Sequence, residues 1–448
     1  MSTPNDIPVT NRPGLTTRKL VHMSMLGFAF LLPILTWVQA AGCAILALLF
    51  NLFLLPRFAA DLRKHPAQSS SIWTGVVLYP ISVLVLILLY RHHLHIAASA
   101  WAILALGDGM ASVAGESLRG PSLPWNGQKT WSGFAAFTIA GGVGAYVLTR
   151  WVAPALPPGK VLIVSVAGAL VGAMVESLPI RLDDNASVPL VTGGFLFCAY
   201  LLERAAFDSN LPCLGTRLAL AVAVNLVLAL LALGARAIDR SGAAVGFFLG
   251  VAVYLGYGWK SFLILLTFVV LGSAATRIGY ASKARRGVAE KRGGARSWRE
   301  ATANSLAGAF FALLAITTQH EAAFLVAFIA TFAEAAGDTI SSEVGQWLSQ
   351  RAYLITTFEA VPAGENGGIS VGGTVAGFMA SAIVVAIGYA LGLCGPGGAA
   401  IALGAGIAGN LLDSVLGATI ERRGLVTNSI VNFSGTTFAG GLTLALMM

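Results

Sequence analysis

The stretch Ile72–Tyr90, IWTGVVLYPISVLVLILLY, decides the fold class. It holds no acidic or basic side chain and has about the 20 residues that a helix needs to cross a hydrocarbon core. Comparable runs lie on either side of it, near 22–40, 41–56, 95–115, 132–150, 160–178 and 187–203. A second set follows near 215–235, 242–257, 260–277, 302–318, 321–338, 370–392, 397–418 and 430–447. The runs are continuous rather than alternating, which excludes an outer-membrane barrel. The expected fold is all-α, a polytopic transmembrane helical bundle of about 13–15 helices.

Composition agrees. Of 448 residues, 56% are hydrophobic and only 11% are charged, whereas an ordinary soluble domain is about 25% charged. A soluble enzyme is therefore excluded. The net charge of +8 reads as loop charge that sets orientation and attracts phosphate groups, and no nucleic-acid partner is expected. The first twenty residues are polar and basic with no short apolar core before a cleavage site, so the first span is expected to stay in place. Cys43, Cys198, Cys213 and Cys394 have neither metal-type nor disulfide-type spacing. The segment Ser282–Arg299 carries Lys283, Arg285, Arg286, Lys291, Arg292, Arg296 and Arg299 against Glu290 alone. Such a loop argues for the cytoplasmic side and is also suited to anionic headgroups or nucleotide phosphate.

An internal repeat organises the chain. GDGMASVAGE at Gly107–Glu116 matches GDTISSEVGQ at Gly337–Gln346, pairing Asp108 with Asp338 and Ser112 with Ser342. NGQKTWSG at Asn126–Gly133 matches NGGISVGG at Asn366–Gly373, and GAMVES at Gly172–Ser177 matches GNLLDS at Gly409–Ser414. Three matches in one order at nearly one offset imply two internally related halves, expected at 1–210 and 211–448.

Each half then offers a kit for metal-assisted phosphoryl transfer, where positioning and charge neutralisation do most of the work. An Asp inside a membrane helix costs about 2.5–3.5 kcal/mol, and Asp108 and Asp338 each end an apolar run among small residues. A capping or bundle-pairing role is the plain alternative. Glu176 and Asp413 recur as second carboxylates, giving Asp108 and Glu176 in one half and Asp338 and Asp413 in the other as metal ligands or base. Asp184, with Asp183 and Asn185 beside it, is placed to complete a Mg²⁺ shell. The Asn-Gly turns, with Asn126, Gly127 and Thr130 in one half and Asn366, Gly367 and Ser370 in the other, are candidate phosphate cradles. Lys129 is a candidate phosphate contact in the first half. Ile369 occupies the matching place in the second, so if Lys129 contacts phosphate the second half needs another cation, which Arg292, Arg296 or Lys283 could supply. Ser342, Glu343 and Asn410 are further candidates. Asn428 and Asn432 share a helix face and either pair structurally or line the second site. Neither a P-loop nor a kinase glycine-loop set is present.

These motifs carry a family resemblance. The first half, through RKLVHM (Arg18, Lys19, His22), GDGMASVAG, NGQKTWSG and ESLPIRLDDNASVPL, resembles the phytol kinase branch of the polyprenol kinase family. The second half, through AEKRGGARSW, AGDTISSEVG, ENGGISVGGTVAG and GNLLDSVLGATIE, is similar to the phytyl-phosphate kinase family of membrane proteins. The resemblance implies a bifunctional prenol kinase. CTP with Mg²⁺ would phosphorylate phytol or a similar prenol in the first half, and the monophosphate would become the diphosphate in the second. It implies prenol and prenyl phosphate substrates, service to chlorophyll or tocopherol phytol salvage, and a bacterial inner membrane or its equivalent with sites toward the cytoplasm. His22 would help deprotonate the prenol or contact phosphate, or else simply pack at a span entrance. The alternatives are a CTP-dependent lipid cytidylyltransferase and a transporter with duplicated halves.

Overall fold

Without water in the hydrocarbon core, a helix satisfies every backbone N–H and C=O within its own segment. The computed structural model follows that rule and describes residues 13–58, 66–118, 120–235, 237–289 and 296–448. Among the described residues, 12 helices are long and apolar enough to cross a membrane, and two shorter apolar helices cover Lys19–Leu31 and Gly75–Leu89. The protein is an all-α polytopic bundle, with only short antiparallel strands and isolated bridges between helices among the described residues.

The chain divides into two compact units, Met1–Tyr200 and Leu201–Met448. The division expected at 210/211 falls instead inside the helix Arg204–Gly234. Hydrogen bonding explains why: Glu203 N donates to Thr317 O at 2.9 Å, and the Asn210 side-chain Nδ2 donates to Ile316 O at 3.1 Å. The start of that helix is thus already tied to the second unit.

In the first unit, the run expected to cross at 22–40 is broken. Helical turns end near Leu31, just before Pro33, which has no N–H to donate. A new helix opens at Trp37 under a capping box, in which Thr36 Oγ1 accepts from Gln39 N and Gln39 Oε1 accepts from Thr36 N. The apolar span then runs Trp37–Arg57, so the boundary expected at 40/41 lies within one helix. The helix Leu94–Leu118 forms the centre of this unit, with Ile103, Leu104 and, from neighbouring helices, Phe137, Leu148 and Leu196 fully buried.

In the second unit, the central helix is Glu321–Leu348. Phe324, Phe328 and Phe332 recur every fourth residue along one buried face, the last two meeting edge to face at 5.2 Å.

The repeat has one local structure in both units. A central helix leads through short antiparallel strands, two in the first unit and three in the second, to a hydroxyl-capped helix. Thr130 Oγ1 accepts from Gly133 N at 3.2 Å, and Ser370 Oγ accepts from Gly373 N at 3.2 Å. The motif glycines allow close helix approach: a Cβ at Gly115 would lie 3.2 Å from Thr130 Oγ1, and one at Gly345 would lie 2.9 Å from Ser370 Oγ.

Candidate functional site

In the first unit three carboxylates converge from three elements. Asp108 closes a π-helical stretch, Ile103–Asp108, within the central helix. Glu176 is the penultimate residue of the helix Pro158–Ser177, and Asp184 opens the helix Asp184–Tyr200. One oxygen from each lies within 4.8 Å of the others, the one such group of metal-ligating side chains among the described residues. A π turn inserts an extra residue into the helical ladder and is common at functional sites; here it ends on the acid that faces the other two.

Lys129, on the hairpin strand Asn126–Thr130, reaches into this group. Its ammonium donates directly to Glu176, whose residue is 6% exposed, and stands 4.0 Å from Asp184 Oδ2. Burial pulls the Lys129 pKa down, and the charges of Glu176, Asp184 and Asp108 reverse this and hold it above the ordinary lysine value. Burial raises the Asp184 carboxyl to about 7, with Lys129 opposing the rise. His22 Nε2 lies 3.8 Å from Asp108 Oδ2, and its ring meets Tyr79 edge to face at 4.7 Å. Tyr79, which the motifs did not single out, accepts from Trp101 Nε1 at 2.6 Å and donates to the His22 carbonyl at 3.4 Å. It therefore positions His22 beside Asp108.

The neighbouring candidates serve structure. Asp183 Oδ1 accepts from Asn185 N at 2.9 Å and Asn185 Nδ2 at 2.8 Å, bracing the start of the following helix. Asn126 Nδ2 donates to Ser177 O at 3.1 Å, and its Oδ1 accepts from Gln128 N at 3.1 Å. This places the hairpin against the end of the helix bearing Glu176. Thr130 is the helix cap described above, and Gly127 lies in the hairpin strand with open space around it.

The second unit assembles a different set. Asp338 on the central helix receives Asn432 Nδ2 at 3.4 Å, and the same amide donates to Asn304 Oδ1 at 3.2 Å. Asn432 thus joins the candidate site, whereas Asn428 is exposed at the start of its helix. Asp413 is 8% exposed and its Oδ2 has no hydrogen-bond partner. Asn410 flanks Gly337, where a Cβ would lie 3.2 Å from its Nδ2. Glu334, one helical turn before Asp338, is 1% exposed and neither of its carboxylate oxygens has a partner. Arg296 stacks its guanidinium 5.6 Å from the Phe268 ring centroid and acts electrostatically on Asp338. Arg292 lies outside the described residues.

Lys283 cannot be the phosphate cation considered for this half. It is fully buried, donates to Ala275 O at 3.2 Å and Thr276 O at 3.1 Å, and pairs directly with Glu343. Glu343 is thereby committed to a structural ion pair. Ser342 is exposed. Ser370 caps its helix, while Gly367, at φ 74, sits against Ala418, and the Asn366–Gly367 turn rests on Gly417.

The profile described as "Integral membrane protein DUF92" matches residues 223–440. An uncharacterized membrane protein of Methanocaldococcus jannaschii is 35% identical over 230 residues, which cover 50% of this chain and 92% of the relative. The chain belongs to the DUF92 family of integral membrane proteins. Named plant relatives match as well. Protein VTE6, chloroplastic, of Arabidopsis thaliana is 35% identical over 51% of this chain and 71% of its own. Probable phytol kinase 3, chloroplastic, of Glycine max is 30% identical over 39% of this chain and 60% of its own. No solved structure matches this DUF92 protein.

Proposed function

We propose that the protein is a membrane prenol kinase in which the first unit phosphorylates phytol or a similar prenol and the second phosphorylates the product. The observation that carries the reading is the convergence of Asp108, Glu176 and Asp184 to within 4.8 Å with Lys129 against them. Relatives named as phytol kinases support the choice of substrate class.

Three carboxylates in a half-buried setting suit a hard divalent cation such as Mg²⁺. When bound, such an ion would neutralise charge on the nucleotide phosphates and on the transferring group. Asp108, Glu176 and Asp184 would hold it. Lys129 would give its ammonium to a nucleotide phosphate once cation binding occupies its carboxylate partners. His22, held by Tyr79 beside Asp108, would accept the hydroxyl proton of the prenol. In the second unit, Asp338 and Asp413 would take the corresponding role, with Arg296, and Arg292 from the same basic segment, meeting phosphate charge. CTP is the donor that the family resemblance favours, and the cytoplasm is the compartment that would supply it.

The test uses CTP labelled in its γ-phosphate, with phytol and phytyl phosphate offered separately to wild type, Asp108→Ala and Asp338→Ala. Label is expected in both lipid products for wild type. Asp108→Ala should fail on the alcohol alone, and Asp338→Ala on the monophosphate alone. A CMP-linked lipid, or substrate movement across liposomes without nucleotide consumption, would overturn the proposal.

A further inference from the structure

We propose that the three-stranded sheet of the second unit docks on the lipid bilayer, with Tyr353 and Phe358 set into its interfacial zone. The strand Arg351–Leu354 pairs with Ala360–Pro362 on one side and with Gly368–Ile369 on the other. Side chains alternate along a strand, and an antiparallel sheet that covers a core on one face usually shows polar groups on the other. Here Ala352 and Leu354 are buried, but the opposite face carries Tyr353, half exposed, beside Arg351. Phe358 follows in the turn and is 73% exposed. It is the one non-glycine residue with a positive φ, 57°, among the described residues. Leu354 closes this turn, donating from its N to Glu359 O at 3.0 Å and accepting at its O from Phe358 N at 2.8 Å. A bulky side chain in the left-handed region is strained where glycine would not be. An aromatic ring kept there and left exposed serves something outside the sheet.

The next helix shows what lies outside. Val371–Ala390 is long and apolar enough to span the membrane. Its Gly373 and Gly377 face the central helix, because a Cβ there would lie 2.5 Å from Ser341 O or 2.7 Å from Gly337 O. Val371, Val375, Phe378 and Met379 recur at the spacing of the opposite stripe and are all exposed, as a lipid-facing surface should be. Tyr353 and Phe358 join Val371, Thr374 and Val375 in lining one groove of about 290 Å³. The apolar face of the sheet is therefore continuous with the lipid face of the span. Trp347 and Leu348, both exposed, extend it where the central helix ends, and tryptophan is favoured at the headgroup level. At that end Arg286 Nη1 donates to Ser349 O at 3.0 Å, and the exposed Arg286 and Arg351 are placed for lipid phosphates. An exposed apolar patch marks a protein or a membrane partner; continuity with a span selects the membrane.

The test is spin labelling of the full chain in nanodiscs of phosphatidylcholine and phosphatidylglycerol. Cys43→Ala, Cys198→Ala, Cys213→Ala and Cys394→Ala clear the native thiols, and Phe358→Cys or Val375→Cys carries the nitroxide. Both labels are expected to collide more often with oxygen, which concentrates in lipid, than with a water-soluble nickel chelate, and in a similar ratio. A label at 358 that meets the chelate more often than oxygen shows a sheet standing in water and overturns the proposal. A label shielded from both reagents shows a protein partner or a second copy of the chain, and overturns it as well. If the cysteine-free chain is not recovered folded, benzoylphenylalanine in place of Phe358 in the otherwise native chain reads the same contact. Photoadducts to phospholipid are expected; adducts to protein alone, or none, would overturn the docking.

Discussion

Lys129 and Glu176, brought together from a hairpin strand and the end of a membrane helix, form a direct ion pair, and the same ammonium stands 4.0 Å from Asp184. The lysine therefore lies against two of the three acids that would hold a cation. Its single positive charge offsets part of theirs.

Replacing this lysine separates two effects. Lys129→Ala should lower phytol phosphorylation by at least about 100-fold, since a positioned charge on a transferring phosphate typically contributes several kcal/mol. Mn²⁺ binding at the first site should hold or tighten, because a competing cation is gone. Phosphorylation of phytyl phosphate should be spared. Equal loss of both activities would contradict the assignment of Lys129 to the first unit's chemistry.

Adjacent aspartates should behave differently. Asp184→Asn is expected to raise the Mg²⁺ requirement of the first step by about 10–100-fold. Asp183→Ala removes a helix-start brace and should cost about 0.5–2 kcal/mol of stability while leaving the Mg²⁺ requirement unchanged. Stripping divalent ions with a chelator should stop both steps, and added Mg²⁺ should restore them.

The pH dependence of cation binding follows from Asp184, whose carboxyl burial raises to about 7. Below that value a proton occupies the carboxylate and must leave before an ion binds, so apparent Mn²⁺ affinity at the first site should rise from pH 6 to pH 8. Affinity that falls over this interval would contradict the assignment.

The buried pair Lys283–Glu343 gives a stability test. Lys283→Met leaves Glu343 without its counter-charge and should cost about 3–5 kcal/mol, read as a lower melting temperature in detergent. The double variant Lys283→Met with Glu343→Leu should recover most of that loss. No recovery would mean that the two side chains act separately.

Much of the first site was legible in the repeat. Asp108 and Glu176 stood out because each recurs as an acid in the other half, and Asp184 because it follows Glu176 in RLDDN. Which of the two adjacent aspartates faces the group depended on where the next helix begins, and local hydrogen bonding set that. Glu334 escaped because a comparison of halves is blind to a residue present in only one, although its spacing of one turn from Asp338 was a signal. Lys283 misled because a run of basic residues reads as a solvated loop, yet this one is buried beneath the central helix. The hydroxyl and amide groups of the Asn-Gly motifs were expected on phosphate, and the structure uses Thr130, Ser370 and Asn126 to seat hairpins and helices. The broken run at 22–40 was signalled by Pro33 and by the Thr36–Gln39 spacing.

The acids of the first unit ride on helices, whereas Lys129 rides on a two-stranded hairpin fastened through Asn126 to Ser177. On the proposed function, admitting a nucleotide would require only a small excursion of that ribbon while the carboxylates stay still. The energy of admitting a nucleotide would then be spent on one short arm, and the lipid-facing scaffold would not need to breathe at all.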